Sequence, residues 1–129
     1  MPVTYRYDRK KNALMTFPTG LLTIEEIADY FKRASEDEAV PEGFVEVVHF
    51  DGVEKFEIRY GNAEIISAAY RKYMLARKCR GTVFITSNPV GFGIARMLSA
   101  VFEEFAVLRV IQSEDALDEE LKHFYSAKS

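Results

Sequence analysis

Cysteine is nearly absent from this chain: Cys79 is the only one among 129 residues. No intrachain disulfide can form, and with two histidines in all the sequence offers no zinc-type ligand set. Excess positive charge is also lacking. The formal net charge is -3 at pH 7, so the chain as a whole has little to offer a phosphate backbone, which disfavours nucleic acid as a partner. No stretch approaches the ~20 apolar residues of a membrane span. The opening "MPVTYRYDRKK" alternates polar and apolar residues around no apolar core segment, so it does not read as a signal peptide. These absences point to a soluble protein of the cytosol, with no metal and no cofactor.

What is present is ordinary globular composition, 48% hydrophobic and 29% charged, with no repeat, linker or low-complexity segment. The length fits one domain over residues 1–129, able to bury roughly two-thirds of its unfolded surface without staples. The spacing predicts a strand at "VTYRY" and a partner at Asn12–Phe17, joined through the short polar "DRKK" as a hairpin. Pro18 and Gly20 end the second strand. Thr23 opens a first helix with Glu26 three residues on, a capping box, followed by Ile24, Ile27, Ala28, Phe31 and Ala34 at helical spacing.

"FVEVVHF" (Phe44–Phe50) reads as a strand covered on both faces, and "DGVEKFEIRYGN" as its connection to a second helix over about Asn62–Cys79. That helix carries Ile65, Ile66, Ala69, Tyr70, Tyr73 and Met74 as an apolar stripe, and Gly81 is a candidate to end it. "TVFIT" is the next strand, followed by a third helix ending near Glu104. "AVLRVI" is the last strand, and Ser113 caps a fourth helix that frays at "AKS". The order β-β-α-β-α-β-α-β-α predicts an α/β fold: a mixed, mostly parallel five-stranded sheet with about four helices.

"ITSNPVGFGIARML" (Ile85–Leu98) is the stretch with most chemistry. Asn88 suits an N-cap and Pro89 the first helical position. Gly91 and Gly93 would let backbone approach a ligand, Arg96 adds charge, and helix starts bind anions. The bland alternative is a tightly packed strand-to-helix corner. A dinucleotide fingerprint is excluded by its late position and by Arg96 where a third glycine belongs. The loop "EIRYGNAE" should lie at the same end of the sheet, with Asn62 as a cap and Arg59 and Tyr60 beside it. His49 and His123 read as structural, Cys79 as an unreactive thiol, and the clustered carboxylates as solvated surface. The bases of "YRKYMLARKCR" read as the exposed side of a buried aromatic stripe.

From about Phe44 to Leu121 the order strand, "FDG" loop, long helix with a basic end and glycine, strand, "SNP" corner, helix, strand and "SEDA" cap resembles a STAS domain. "VGFGIARM" is closer still to the small stand-alone bacterial proteins of the SpoIIAA-like, STAS/Sec14-type group, and the hairpin and first helix fit that architecture. The resemblance implies a non-enzymatic regulatory, protein-binding module. In the sporulation-type antagonists a serine at the start of the second helix is phosphorylated. The matching positions here are Arg59, Tyr60, Gly61 and Asn62, none of them serine or threonine, and the acidic residue before that site is also missing.

The expected binding surface is therefore Arg59, Tyr60, Gly61 and Asn62 together with Ser87, Asn88, Gly91, Gly93 and Arg96, with no catalytic residue assigned. The occupant is a protein partner or, alternatively, a small anion or amphipathic ligand. Homodimerisation is compatible with so aromatic a chain, and no membrane insertion is expected.

Overall fold

The computed structural model describes residues 3–103 and 106–126, without the side chains of Tyr60 and Ser126. The expected helix end at Glu104 and the expected fraying at residues 127–129 lie outside the described residues.

Among the described residues seven strands and four α-helices follow in the order β1 (Val3–Asp8), β2 (Ala13–Pro18), β3 (Gly20–Thr23), α1 (Ile24–Glu36), β4 (Val45–His49), β5 (Val53–Glu57), α2 (Ala63–Arg77), β6 (Thr82–Ile85), α3 (Pro89–Phe102), β7 (Leu108–Ile111) and α4 (Leu117–Ser126). The main sheet runs β1-β2-β4-β6-β7. β1 is antiparallel to β2, with Val3 opposite Pro18 and Asp8 opposite Ala13, and every later pairing is parallel. The expected five strands, four helices and hairpin are all there.

From β2 onward the strand order advances in one direction. Crossovers of one hand then place all three connecting helices on the same face. Alternation along each strand sorts the core accordingly. Leu14, Val48 and Phe84 face α1, α2 and α3 through Tyr30, Phe31, Ile66, Tyr70, Tyr73, Leu98 and Phe102. Met15, Val45, Val47, Val83 and Ile85 face Leu117 and Leu121 of α4. Aromatic rings knit the three-helix face. Tyr70 stacks on Phe102 at 4.2 Å between α2 and α3, and Phe31 on Tyr73 at 4.9 Å between α1 and α2, each such pair contributing about 0.5–1.5 kcal/mol beyond its area.

Four boundaries differ from the sequence expectation. Val53–Glu57 is not a plain connection: it pairs in parallel with Gly20–Thr23 as a second, two-stranded sheet, and Gly20 opens β3 at φ +67 rather than ending β2. Helix α2 ends at Arg77, where Lys78 takes the left-handed cap position at φ 55 and its backbone N–H reaches the Met74 carbonyl. Gly81 is therefore not the cap. It sits at φ +152, and a Cβ there would run into the Val107 carbonyl and the Phe124 ring. Ser113 precedes a short 3-10 turn, Glu114–Ala116, with no side-chain capping bond, and α4 begins only at Leu117. Thr23 does cap α1, its hydroxyl accepting from the Glu26 N–H at 3.2 Å.

Gly81→Ala adds both backbone strain and a clash with β7 and α4. We expect it to lower stability by on the order of 2 kcal/mol in urea denaturation, several times the effect of an alanine at exposed Gly61, where nothing lies within 4 Å of a Cβ.

Candidate functional site

The parallel strands β2, β4, β6 and β7 end on one edge, and α1, α2 and α3 start there. The two segments expected to form a surface therefore share one end of the sheet. Asp51, just beyond β4, ties that end together. Its carboxylate accepts from the Ser87 backbone N–H at 2.8 Å and from the Ser87 hydroxyl at 2.9 Å. Ser87 is thus held in place by an acid before the chain turns into α3.

The corner itself is a helix start. Asn88 is the N-cap, its Oδ1 accepting from the Gly91 N–H at 2.7 Å, with Pro89 at the first helical position. Both glycines therefore lie inside the first turns of α3. Gly91 has a packing reason: it is buried, and a Cβ there would overlap the Thr86 hydroxyl. The close backbone approach is to Thr86, so that position offers no room to a ligand atom. Gly93 has none, being exposed with nothing within 4 Å of a Cβ.

Around these glycines α3 leaves Val90 65% and Phe92 38% exposed. The Arg96 guanidinium lies over the Phe92 ring at 5.6 Å. At the start of α2, Asn62 does not cap the helix. Its Oδ1 accepts from the Arg59 N–H at 3.2 Å, and its own N–H donates to the Arg59 carbonyl at 2.8 Å. Arg59–Asn62 is consequently a closed turn, running through Tyr60 and Gly61, that leaves the Arg59 side chain exposed. Ile65, assigned by spacing to the buried stripe, is 58% exposed on the first turn of α2. Arg59 and Ile65 therefore stand at the start of α2, and Val90 and Phe92 at the start of α3, with Arg96 reaching Phe92 from the next turns of that helix.

The residues with reactive potential are engaged elsewhere. His49 stacks on Phe17 at 4.5 Å. Its Nδ1 faces the Thr16 carbonyl at 3.1 Å and its Nε2 the Glu114 carboxylate at 3.0 Å, while the nearby Asp51 serves Ser87. The Cys79 thiol is buried, its S–H donating to the Gly81 carbonyl at 3.3 Å, and burial with the nearby Glu46 pushes it far above the usual thiol range. Among the described residues no group of three or more His, Cys, Asp or Glu side chains could hold a metal ion. Nor is any described helix long and apolar enough to cross a membrane.

The acid that sequence reading passed over is Glu46, the second residue of β4 and 2% exposed. The Tyr30 hydroxyl donates to its Oε2 at 2.5 Å and the Thr82 hydroxyl to its Oε1 at 2.7 Å. Behind them stand Thr16 at 2.8 Å and Tyr73 at 3.4 Å from the Tyr30 oxygen, and Tyr70 at 2.6 Å from the Thr82 oxygen. Burial pushes the Glu46 carboxyl up, opposed by the hydroxyls of Tyr30, Thr82 and Tyr73. The buried phenols of Tyr30, Tyr70 and Tyr73 are pushed well above their usual range, chiefly by the same burial. A single Glu inside a strand read as covered on both faces was the available signal: such an acid has nowhere to go but the core.

Two solved structures share this arrangement of elements. One is a DUF3478-family protein with a SpoIIAA-like fold from Shewanella loihica PV-4. It is 12% identical, with a TM-score of 0.57 over 91% of this chain and 92% of that chain. The other is the anti-sigma factor antagonist SpoIIAA in its unphosphorylated form, 12% identical, with a TM-score of 0.53 over 92% of this chain and 96% of that one. No family model matches the sequence, and no curated protein does. The chain therefore has the SpoIIAA-like, STAS-type fold, as the motif order led us to expect.

The two glycines of α3 are separable by stability alone. Gly91→Ala overpacks Thr86 at a cost of about 1–3 kcal/mol, exceeding the gain in helix propensity. Gly93→Ala meets no obstacle and should stabilise by about 0.5–1 kcal/mol. Urea midpoints moving in opposite directions for the two variants would bear this out.

Proposed function

We propose that this chain is a non-enzymatic regulatory module that docks a protein partner on the starts of α2 and α3. The observation that carries this reading is the exposed apolar pair Val90 and Phe92 on the first turn of α3, with Arg96 over Phe92. Arg59 and Ile65 at the start of α2 extend it. Arginine and aromatic side chains are the groups that dominate binding energy at interfaces, and a large apolar side chain left in water at a helix start is cheap to cover.

The fold shared with an anti-sigma factor antagonist supports a role in binding rather than chemistry. So does the engagement of His49 and Cys79 in structural bonds, while the Asp51 carboxylate accepts from both the backbone N–H and the hydroxyl of Ser87, a pairing that fixes the loop and has no histidine bonded to it among the described residues. With Arg59, Tyr60, Gly61 and Asn62 at the positions matching the phosphorylated serine of the sporulation-type antagonists, docking here runs without a serine switch at that place. The ligand-binding alternative would need space at Gly91, which Thr86 fills.

Comparative capture tests the reading. Wild type, the double variant Arg59→Ala/Arg96→Ala, and Val90→Asp are immobilised and exposed to lysate of the source organism. A partner retained by wild type should bind both variants at least about tenfold more weakly, ~1.4 kcal/mol, with thermal stability unchanged. Equal retention by all three would remove this surface from the docking site.

A further inference from the structure

We propose that Glu46 is a buried proton-binding site: the folded molecule takes up one proton on this carboxyl, and releasing it loosens the seating of α1 and α2 on the sheet. The first ground is compensation. Two hydroxyls donate directly to the carboxyl, from Tyr30 and Thr82, and that of Tyr73 stands close enough to add a third, weaker interaction, where an ionised carboxylate has about four acceptor positions to fill. Among the described residues no lysine, arginine or histidine is fully buried beside it; the other buried polar side chains are Thr16, Thr82 and Thr86. The groups facing it are Tyr30 from α1, Tyr70 and Tyr73 from α2, Cys79 beyond α2, Thr16 from β2 and Thr82 from β6. None brings positive charge. Buried charge without a counter-charge is neutralised by protonation rather than tolerated.

The second ground is that the cluster stays bonded with the proton present. With the carboxyl ionised, the hydroxyl hydrogens run inward: Thr16 and Tyr73 to Tyr30, Tyr70 to Thr82, then Tyr30 and Thr82 to Glu46. With a proton from solvent on Oε2, the Glu46 O–H donates to the Tyr30 oxygen. The Tyr30 hydrogen turns to Thr16, 2.8 Å away, and the Thr16 hydrogen to the Leu14 carbonyl at 3.4 Å. No donor is orphaned by this reversal. The cavity of about 50 Å³ beside Glu46 and Tyr30 could hold water by volume. Its walls are almost wholly apolar, with Leu22, Ile27, Phe50, Ile66 and Phe84 among them, so it does not supply the missing donors.

The third ground is position. The cluster joins α1 and α2 to β2, β4 and β6, and leaves α4 on the far face untouched. Since burial raises the folded-state carboxyl above its unfolded value near ~4.3, the stabilisation is full below that value and is lost as pH rises through the folded one.

Urea denaturation of wild type and Glu46→Gln from about pH 4 to about pH 8 is the test. The unfolding constant of the wild type relative to that of Glu46→Gln should rise with pH, by no more than tenfold per pH unit for one linked proton. Asp37, held low chiefly by the Tyr5 hydroxyl, contributes equally to both chains and cancels. Equal slopes overturn the proposal. Should Glu46→Gln fail to fold, infrared spectroscopy of the wild type decides. A protonated-carboxyl band that persists above the pH at which exposed acids ionise, and vanishes on unfolding, is the expected result. A spectrum of carboxylate alone overturns it. Hydrogen exchange, corrected for its intrinsic pH dependence, should quicken in α1 and α2 but not in α4 as pH rises. Uniform protection would sever the helices from the proton site.

Discussion

One carboxyl group lies buried where α1 and α2 meet the sheet, and the packing of that face is organised around it. Glu46 occupies a strand position that alternation assigns to the three-helix side. Its oxygens are met by a tyrosine from α1 and a threonine from β6, and those in turn by two tyrosines from α2 and a threonine from β2. Buried polar groups demand partners, so Glu46 restricts where each helix can sit. Tyr30, Tyr70 and Tyr73 must bring their rings into the aromatic layer and their hydroxyls to one spot at once. A purely apolar face would lack these directional bonds, which fix the register of each helix on the sheet more narrowly than apolar contact does.

The same face generates the exposed end of the molecule. Helices seated on the sheet by Tyr30, Tyr70, Tyr73, Leu98 and Phe102 begin at the carboxyl edge of parallel strands, so α2 and α3 present their first turns together. The bond from Asp51 to Ser87 closes the loops beyond β4 and β6 into a rim. The small β3–β5 sheet lengthens that rim, with Phe56 of β5 turned inward against Phe50. Arg59, Ile65, Val90, Phe92 and Arg96 stand on a support whose position is set by buried contacts.

The elements with strong local patterning were legible: the alternating hairpin, the apolar strands, the Thr23 and Asn88 caps, and the order that places a mostly parallel sheet under crossover helices. What was not legible depended on partners distant in the chain. Val53–Glu57 has three charged residues in five, which reads as a loop, and becomes a strand only because Gly20–Thr23 lies alongside. Lys78 in the left-handed cap position overrides the general preference for glycine, and Gly81 is reserved for the close passage of β7 and α4. Asn62 closes a turn with Arg59 where its place before a helix suggested a cap. Ile65 was placed on the wrong side of α2 because a stripe read by spacing is broad, and only packing shows which edge of it is covered.

Gly91 and Gly93 show how far a motif can be resolved by geometry. In sequence they are equivalent, two glycines one residue apart at a helix start, and a phosphate-cradling loop needs both for the same reason. In the structure their surroundings differ: one is forced by the Thr86 side chain beneath it, and the other faces solvent with no steric demand. A ligand loop requires free backbone N–H groups, and the Gly91 N–H is already taken by Asn88. Steric necessity therefore accounts for Gly91 within the fold. Gly93 carries about 1 kcal/mol of helix cost that nothing inside the molecule repays. That cost stands on an exposed turn next to Phe92, so Gly93 is the part of the motif that packing around it does not account for.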